Sequence, residues 1–140
     1  MRLRLVAAAV VLTAVIPALA LGSASVTTKL TATLTGAAEK PKGPASGKGT
    51  AAITISGTKV CWKFAFSGIG KPTAAHIHQL PKGNVVVPFG GAFKASGCTT
   101  ASAALSKAIT ANPGGYYVNI HTAQYPGGAI RGQLSKASAY

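Results

Sequence analysis

The stretch VCWKFAF, residues 60–66, decides the fold of this chain. Its large apolar side chains fall on every second residue, namely Val60, Trp62, Phe64 and Phe66. Because successive side chains of a β-strand point to opposite faces, this alternation predicts a strand with one face at the centre of the core. The same alternation places Cys61 on the opposite face, outside the aromatic core.

Shorter stretches with the same period of two recur along the chain, separated by glycine and proline. They cover residues 30–34, 51–55, 74–80, 85–89, 116–122 and 130–134. Pro88 confines its strand to a sheet edge or a strand end, because proline donates no backbone hydrogen bond. Many short antiparallel strands at this spacing predict an all-β sandwich or barrel.

One segment breaks the strand pattern. Leu105 and Ile109 stand four residues apart among alanines, and Asn112-Pro113-Gly114-Gly115 follows as a stop signal. This spacing predicts one short helix near residues 100–111.

The first 25 residues have the pattern of an export signal. Arg2 and Arg4 precede an apolar run, and Ala18-Leu19-Ala20 offers a small-residue cleavage site within the window 20–25. A membrane anchor is the alternative, since the apolar run reaches about the lower limit of a spanning helix. We expect cleavage, a single domain over residues 26–136, a C-terminal tail over residues 137–140, no transmembrane span in the mature chain, and a location outside the cell or in its envelope.

The chain has two cysteines, Cys61 and Cys98. In an exported protein a pair of thiols is oxidised to a disulfide, because the compartment lacks a reducing buffer. We therefore predict a Cys61–Cys98 bridge. Two free or catalytic thiols are the alternative.

The mature chain is strongly basic. Without Arg2 and Arg4, the remaining 12 basic residues and Glu39 give it a net charge of +11. Such a balance favours contact with anionic polymers of the cell envelope, while another extracellular protein is the alternative partner. No ladder of aromatic residues accompanies the lysines, which argues against a specific nucleic-acid reader. We expect a monomer.

The usual catalytic sets are missing from the sequence. There is no aspartate, and Glu39 is the only carboxylate side chain, so neither a carboxylate pair nor a Ser-His-Asp triad can form. No Gly-x-Ser-x-Gly elbow is present. The composition argues against an ordinary enzyme.

The three histidines carry the sharpest site hypothesis. His76 and His78 share one face of a strand by the period of two, and His121 follows on a later strand. Three imidazoles brought together form a set that zinc or copper binds. The same residues could instead form a hydrogen-bonded structural cluster. Asn119, Arg131 and Gln133 are predicted to form a polar patch beside them.

Four ordered motifs resemble the chordin-type (CHRD) domain. They are Leu34-Thr35-Gly36-Ala37-Ala38-Glu39, Ala74-Ala75-His76-Ile77-His78, the stretch GYYVNIHT at residues 115–122, and PGGAIRGQL at residues 126–134. The resemblance implies a secreted, mostly antiparallel β-domain with a Greek-key-like sandwich or barrel, similar to immunoglobulin or superoxide dismutase folds. Ala129 stands where many such domains carry glutamate, which removes one carboxylate partner for Arg131.

The resemblance leaves the biochemical role open. The His-x-His pair with a later histidine is similar to a reduced copper/zinc superoxide dismutase pattern, but candidates for the bridging histidine and the aspartate are missing. Two hypotheses remain. The first is a secreted, non-catalytic binding or structural module, and the second is a copper- or zinc-binding domain with weak redox activity.

Overall fold

The computed structural model describes residues 26–138, which contain nine β-strands, one α-helix and two single turns of 3₁₀-helix. The strands are β1 (Thr27–Thr35), β2 (Lys48–Ser56), β3 (Lys59–Ser67), β4 (Pro72–Gln79), β5 (Asn84–Pro88), β6 (Ser96–Thr100), β7 (Tyr116–Thr122), β8 (Ile130–Gln133) and β9 (Ser135–Lys136). The helix α1 covers Ala103–Ala111, and the 3₁₀ turns cover Gly36–Ala38 and Pro113–Gly115. The predicted export signal lies outside the described residues.

All strand pairs are antiparallel, and they form one sheet in the order β5-β4-β7-β8-β1-β2-β3-β6, with β9 beside β1. The segment from Phe89 to Ala95 joins the two edges of this sheet. Phe93 donates its N–H to Thr73 O on one side, and Ala95 O accepts the N–H of Phe64 on the other. The sheet thus curls into a nearly closed barrel, and the predicted all-β antiparallel fold is confirmed.

Inward-facing side chains of alternating residues fill the barrel. Val60, Trp62 and Phe64 are buried as predicted, whereas Phe66 is only partly buried near the strand end. Phe89 stacks on Trp62 with ring centroids 4.7 Å apart and meets Phe64 edge-on at 5.5 Å. Such aromatic pairs add to the free energy gained by burying their area. The segment that closes the barrel is therefore anchored in the core.

The predicted helix is confirmed as α1. Ser102 caps its N-terminus by accepting the N–H of Leu105 at 3.2 Å, and Ile109 is fully buried. β5 lies at the sheet edge with Pro88 as its last residue, as the proline predicts. β6 is a strand that the sequence pattern does not predict. No helix within residues 26–138 has the length and apolar character to cross a membrane.

The disulfide is confirmed, and the alternative of free or catalytic thiols is wrong. Cys61 in β3 lies directly opposite Cys98 in β6, with Cα atoms 4.0 Å apart, and the two sulfur atoms are bonded. The bridge lies on the outward face of the sheet, as the alternation around Trp62 predicts.

Candidate metal centre

The three histidines meet on the outward face of β4 and β7. His76 lies opposite Asn119 in the strand register, and His121 lies opposite Ala74, so His76 and His121 are diagonal neighbours. Each histidine offers one ring nitrogen to the cluster, and these three nitrogens lie within 4.8 Å of one another. The strand register therefore brings the predicted set together.

Among the three histidines, the closest contact joins His76 and His121. His76 Nδ1 lies 3.1 Å from His121 Nε2, and His121 Nδ1 lies 2.9 Å from Pro126 O. Because a carbonyl oxygen only accepts, His121 carries its proton on Nδ1 and keeps a lone pair on Nε2. In the neutral pair, His76 Nδ1 donates to that lone pair. Two nitrogens bound to one ion at about 2.0–2.1 Å with near-tetrahedral or square angles are separated by about 3 Å, so this pair has the spacing of two ligands.

His78 is held more tightly than the other two rings. Its Nδ1 donates to Gly83 O at 2.8 Å, and its Nε2 lies 2.9 Å from Asn119 Oδ1. A neutral imidazole donates from only one nitrogen, so a neutral His78 requires the Asn119 carboxamide to present its NH₂ group to Nε2. His78 is 7% exposed and Asn119 is 1% exposed. Before His78 could bind an ion through Nε2, Asn119 would have to release that nitrogen.

The ring positions nevertheless share a common centre. The centroids of the three imidazoles are 4.9, 5.6 and 6.3 Å apart, and the point equidistant from them lies about 3.3 Å from each. A histidine bound to zinc or copper through one nitrogen holds its ring centroid about 3.2 Å from the ion. The three rings thus stand at the correct distance from one point. The 4.8 Å limit on the nitrogen spacing exceeds the about 4.2 Å that two ligands of one ion can span, so binding by all three histidines requires the rings to rotate and His78 to exchange a hydrogen bond for the ion.

The protonation of the cluster favours metal binding. Burial, followed by the neighbouring His121 and His78, lowers the pKa of His76 to about 4. Burial also lowers the pKa of His121, which the hydrogen bond to Pro126 O partly opposes, and His78 lowers it further. Neutral imidazole is the form that ligates metals, so His76 stays available well below neutral pH.

A chain of contacts leads from the histidines to the only carboxylate. His78 stacks on Tyr117 with centroids 4.8 Å apart, and the Arg131 guanidinium lies 4.8 Å from the Tyr117 ring centroid. Arg131 Nε donates to Ala38 O at 2.6 Å and lies 3.8 Å from Glu39 Oε2. Arg131 is therefore held by Tyr117 and Glu39 beside the cluster.

Glu39 is unusually buried for a carboxylate. It is 3% exposed, and its Oε1 has no hydrogen-bond partner. Burial raises the pKa of Glu39 to about 7, although Arg131 and the backbone N–H of Lys40 act in the opposite direction. Gly128 packs against this carboxylate, since a Cβ atom at residue 128 would collide with Oε1.

The predicted polar patch is divided between two neighbourhoods. Asn119 belongs to the histidine cluster through His78, and it faces Arg131 in the register of β7 and β8. The Gln133 side chain instead donates to Gly114 O, in the turn before β7. Gln133 thus supports the turn before β7.

The comparison with protein families identifies the family of the chain. The family model of the CHRD domain matches residues 30–134, most of the chain. The chain belongs to the CHRD family. No curated protein and no solved structure matches it. In this CHRD domain all three histidines and Arg131 fall inside the matched range.

Sequence reasoning missed several partners in this CHRD domain. The carbonyls of Gly83 and Pro126 fix two of the rings, yet backbone groups leave no mark in the composition. It also treated Ala129 as the loss of a carboxylate partner for Arg131, whereas Glu39 lies beside that arginine. The signal that could have revealed this contact was the count of carboxylates. A lone glutamate among 14 basic residues has many potential partners.

Proposed function

We propose that this CHRD domain is a non-catalytic binding module of the cell exterior or envelope that holds one transition-metal ion at His76, His78 and His121. The observation that carries this proposal is the meeting of three histidines, each with one ring nitrogen within 4.8 Å of the other two. The Cys61–Cys98 disulfide supports a location in an oxidising compartment.

The chemistry of the ligands favours copper(II), followed by zinc. All three ligands are neutral imidazoles, and among divalent ions copper(II) binds nitrogen ligands most tightly. Since Glu39 is paired with Arg131, no carboxylate in the described residues is placed to reduce the charge of the ion. The ion therefore keeps its full charge and has room for water or an anion as a further ligand.

Titration of the metal-free mature protein with copper(II) and with zinc tests the proposal. We expect one ion per chain, with affinity falling by more than about 100-fold in the double variant His76→Ala, His121→Ala, since loss of direct ligands exceeds the effect of losing their supporting contacts. Nitrogen hyperfine structure in the copper EPR spectrum should show whether His78 also binds. Acidification should release the ion, and the low pKa of His76 places that release below the usual histidine range.

The matched control is Gln79→Ala, which changes an exposed side chain on the same strand. It should bind metal as the unsubstituted protein does. Equal, weak uptake by the double variant and the control would contradict the metal site and leave the hydrogen-bonded structural cluster as the better account.

A second proposed function is binding to anionic polymers of the envelope. It is favoured by the distribution of charge over residues 26–138, where 11 lysines and Arg131 face one carboxylate that is itself buried. Affinity for a polyanion should then fall steeply with added salt. Binding that is insensitive to salt would contradict this function.

A further inference from the structure

A groove crosses the end of the barrel at which β1 begins. It has a volume of about 880 Å³ and runs between β1, α1 and β9. Each of these elements contributes one exposed lysine to its lining, namely Lys29, Lys107 and Lys136. We call this feature the lysine groove.

The charge of the lysine groove is not neutralised by any side chain of the described residues. Glu39 is the only carboxylate among them, and it is buried beside Arg131 after the opposite end of β1. A nine-residue strand separates those two ends by about 30 Å, which is several Debye lengths at physiological salt. Among residues 26–138 the three ammonium groups therefore lack a carboxylate side chain as partner.

The lysine groove continues into a smaller pocket of about 330 Å³, and the two share Thr28, Lys107 and Thr110. Ser106 lines this pocket and is 3% exposed. Within residues 26–138, Ser106 Oγ is one of two buried side-chain polar atoms without a hydrogen-bond partner. Buried hydroxyls in folded proteins are normally paired, so Ser106 keeps an unused donor, which a ligand reaches only by displacing the groups that cover Oγ.

We propose that the lysine groove binds the phosphate groups of an anionic polymer, with Ser106 donating to one phosphate oxygen. This inference rests on the second proposed function and assigns it a site. Phosphate offers several strong acceptor oxygens to ammonium and hydroxyl donors at once. The groove is open and draws its lysines from three elements, which suits a chain with repeated charges better than a single small anion.

The test compares two triple variants of equal charge, with linear polyphosphate of defined length as the probe. The first is Lys29→Gln, Lys107→Gln, Lys136→Gln. The matched control replaces three exposed lysines elsewhere: Lys48→Gln, Lys63→Gln, Lys94→Gln. At low salt we expect the groove variant to lose about 30- to 100-fold in affinity and the control about 3-fold or less, because only the first removes converging contacts.

A second variant, Ser106→Ala, keeps the inference testable if the triple variant folds poorly. We expect about a 3- to 10-fold loss of affinity for polyphosphate with no loss of thermal stability, since the hydroxyl has no partner within the protein. Unchanged affinity in this variant would overturn the role of Ser106.

The outcomes separate this inference from the function on which it rests. Equal losses in the two triple variants would overturn the groove as the site while leaving polyanion binding intact. Failure of the unsubstituted protein to bind polyphosphate at low salt would overturn the function as well. Binding to phosphatidylglycerol vesicles but not to polyphosphate would replace the polymer with a lipid headgroup and overturn the proposal. Saturation by inorganic phosphate alone, with no gain from chain length, would also overturn it.

Discussion

Two outward faces of the barrel are built from the same alternation of residues and are packed in opposite ways. The histidine face on β4, β7 and β8 consists of His76, His78, Tyr117, Asn119, His121 and Arg131. The hydroxyl face on β1, β2 and β3 consists of Thr31, Thr33, Thr50, Thr54, Lys59 and Lys63. Side chains of the histidine face contact one another and are partly or fully buried, whereas most of those on the hydroxyl face are exposed.

The difference comes from the loops. The turn after β4 brings Gly83 O onto His78, and the turn after β7 brings Pro126 O onto His121. Within residues 26–138, by contrast, Thr31, Thr33 and Thr50 stay exposed, and their strands are joined to neighbouring strands by regular pairing. Pointing away from the core is therefore not equivalent to exposure. A sheet face becomes a polar network where the flanking turns fold back over it.

The largest expected effect concerns the covalent bond beside the hydroxyl face. Replacing both Cys61 and Cys98 with alanine should lower the free energy of unfolding by about 3–4 kcal/mol, because the bridge closes a loop of 37 residues in the unfolded chain. Urea denaturation measures this loss. The reduced, unsubstituted protein should show a similar midpoint, and a midpoint equal to that of the oxidised protein would contradict the expectation.

A direct contrast between the faces comes from Asn119→Ala and Thr50→Ala. Loss of Asn119 leaves buried His78 Nε2 without its partner and should cost about 1–3 kcal/mol. Thr50 is exposed, so its substitution should stay within about 0.5 kcal/mol. Thermal unfolding of the two variants side by side provides the measurement. Equal costs would mean that the two faces do not differ in packing energy.

The last expected effect is a pH dependence at the margin of the histidine face. The pKa of Glu39 is raised from 4.5 to about 7 by burial, so between these values the folded protein binds more protons than the unfolded chain. The stability contributed by the neutral carboxyl is complete below pH 4.5 and is lost as the pH rises through 7. In Glu39→Gln this loss should be absent, and its stability relative to the unsubstituted protein should rise over that range. If the two proteins differed in unfolding free energy by the same amount at pH 5 and at pH 8, this expectation would be contradicted.

Much of the fold could be predicted because it depends on periodicity. The alternation of Trp62 and Phe64 specifies an inward face, and the same rule places His76 and His78 together and Cys61 outside the core. β6 was missed because SGCTT has no large apolar residue to reveal a period. The cysteine pair held part of the missing signal, since a bridge to the outward face of β3 places the segment around Cys98 beside that strand.

The partners within the candidate site were harder to predict. The contact between Glu39 and Arg131 joins the first motif of the chain to the last and depends on β1 lying beside β8. Only Thr35 and Arg131 pair in that register, so no local pattern reports it. The groove on the opposite end is similar, because its lysines come from three elements that are distant in sequence.

The segment from Phe89 to Ala95, which joins the two edges of the sheet, also affects whether the protein can associate with itself. An unpaired strand edge presents free N–H and C=O groups that another chain can pair with. The segment from Phe89 to Ala95 occupies part of both edges, since Phe89 and Phe93 bond to β4 and Ala95 bonds to β3, and exposed Lys94 lies between these contacts. A protease that cuts between Phe93 and Lys94 would leave every strand in place but separate the two edges. The barrel would then become an open sheet whose free edges could recruit further copies of the chain.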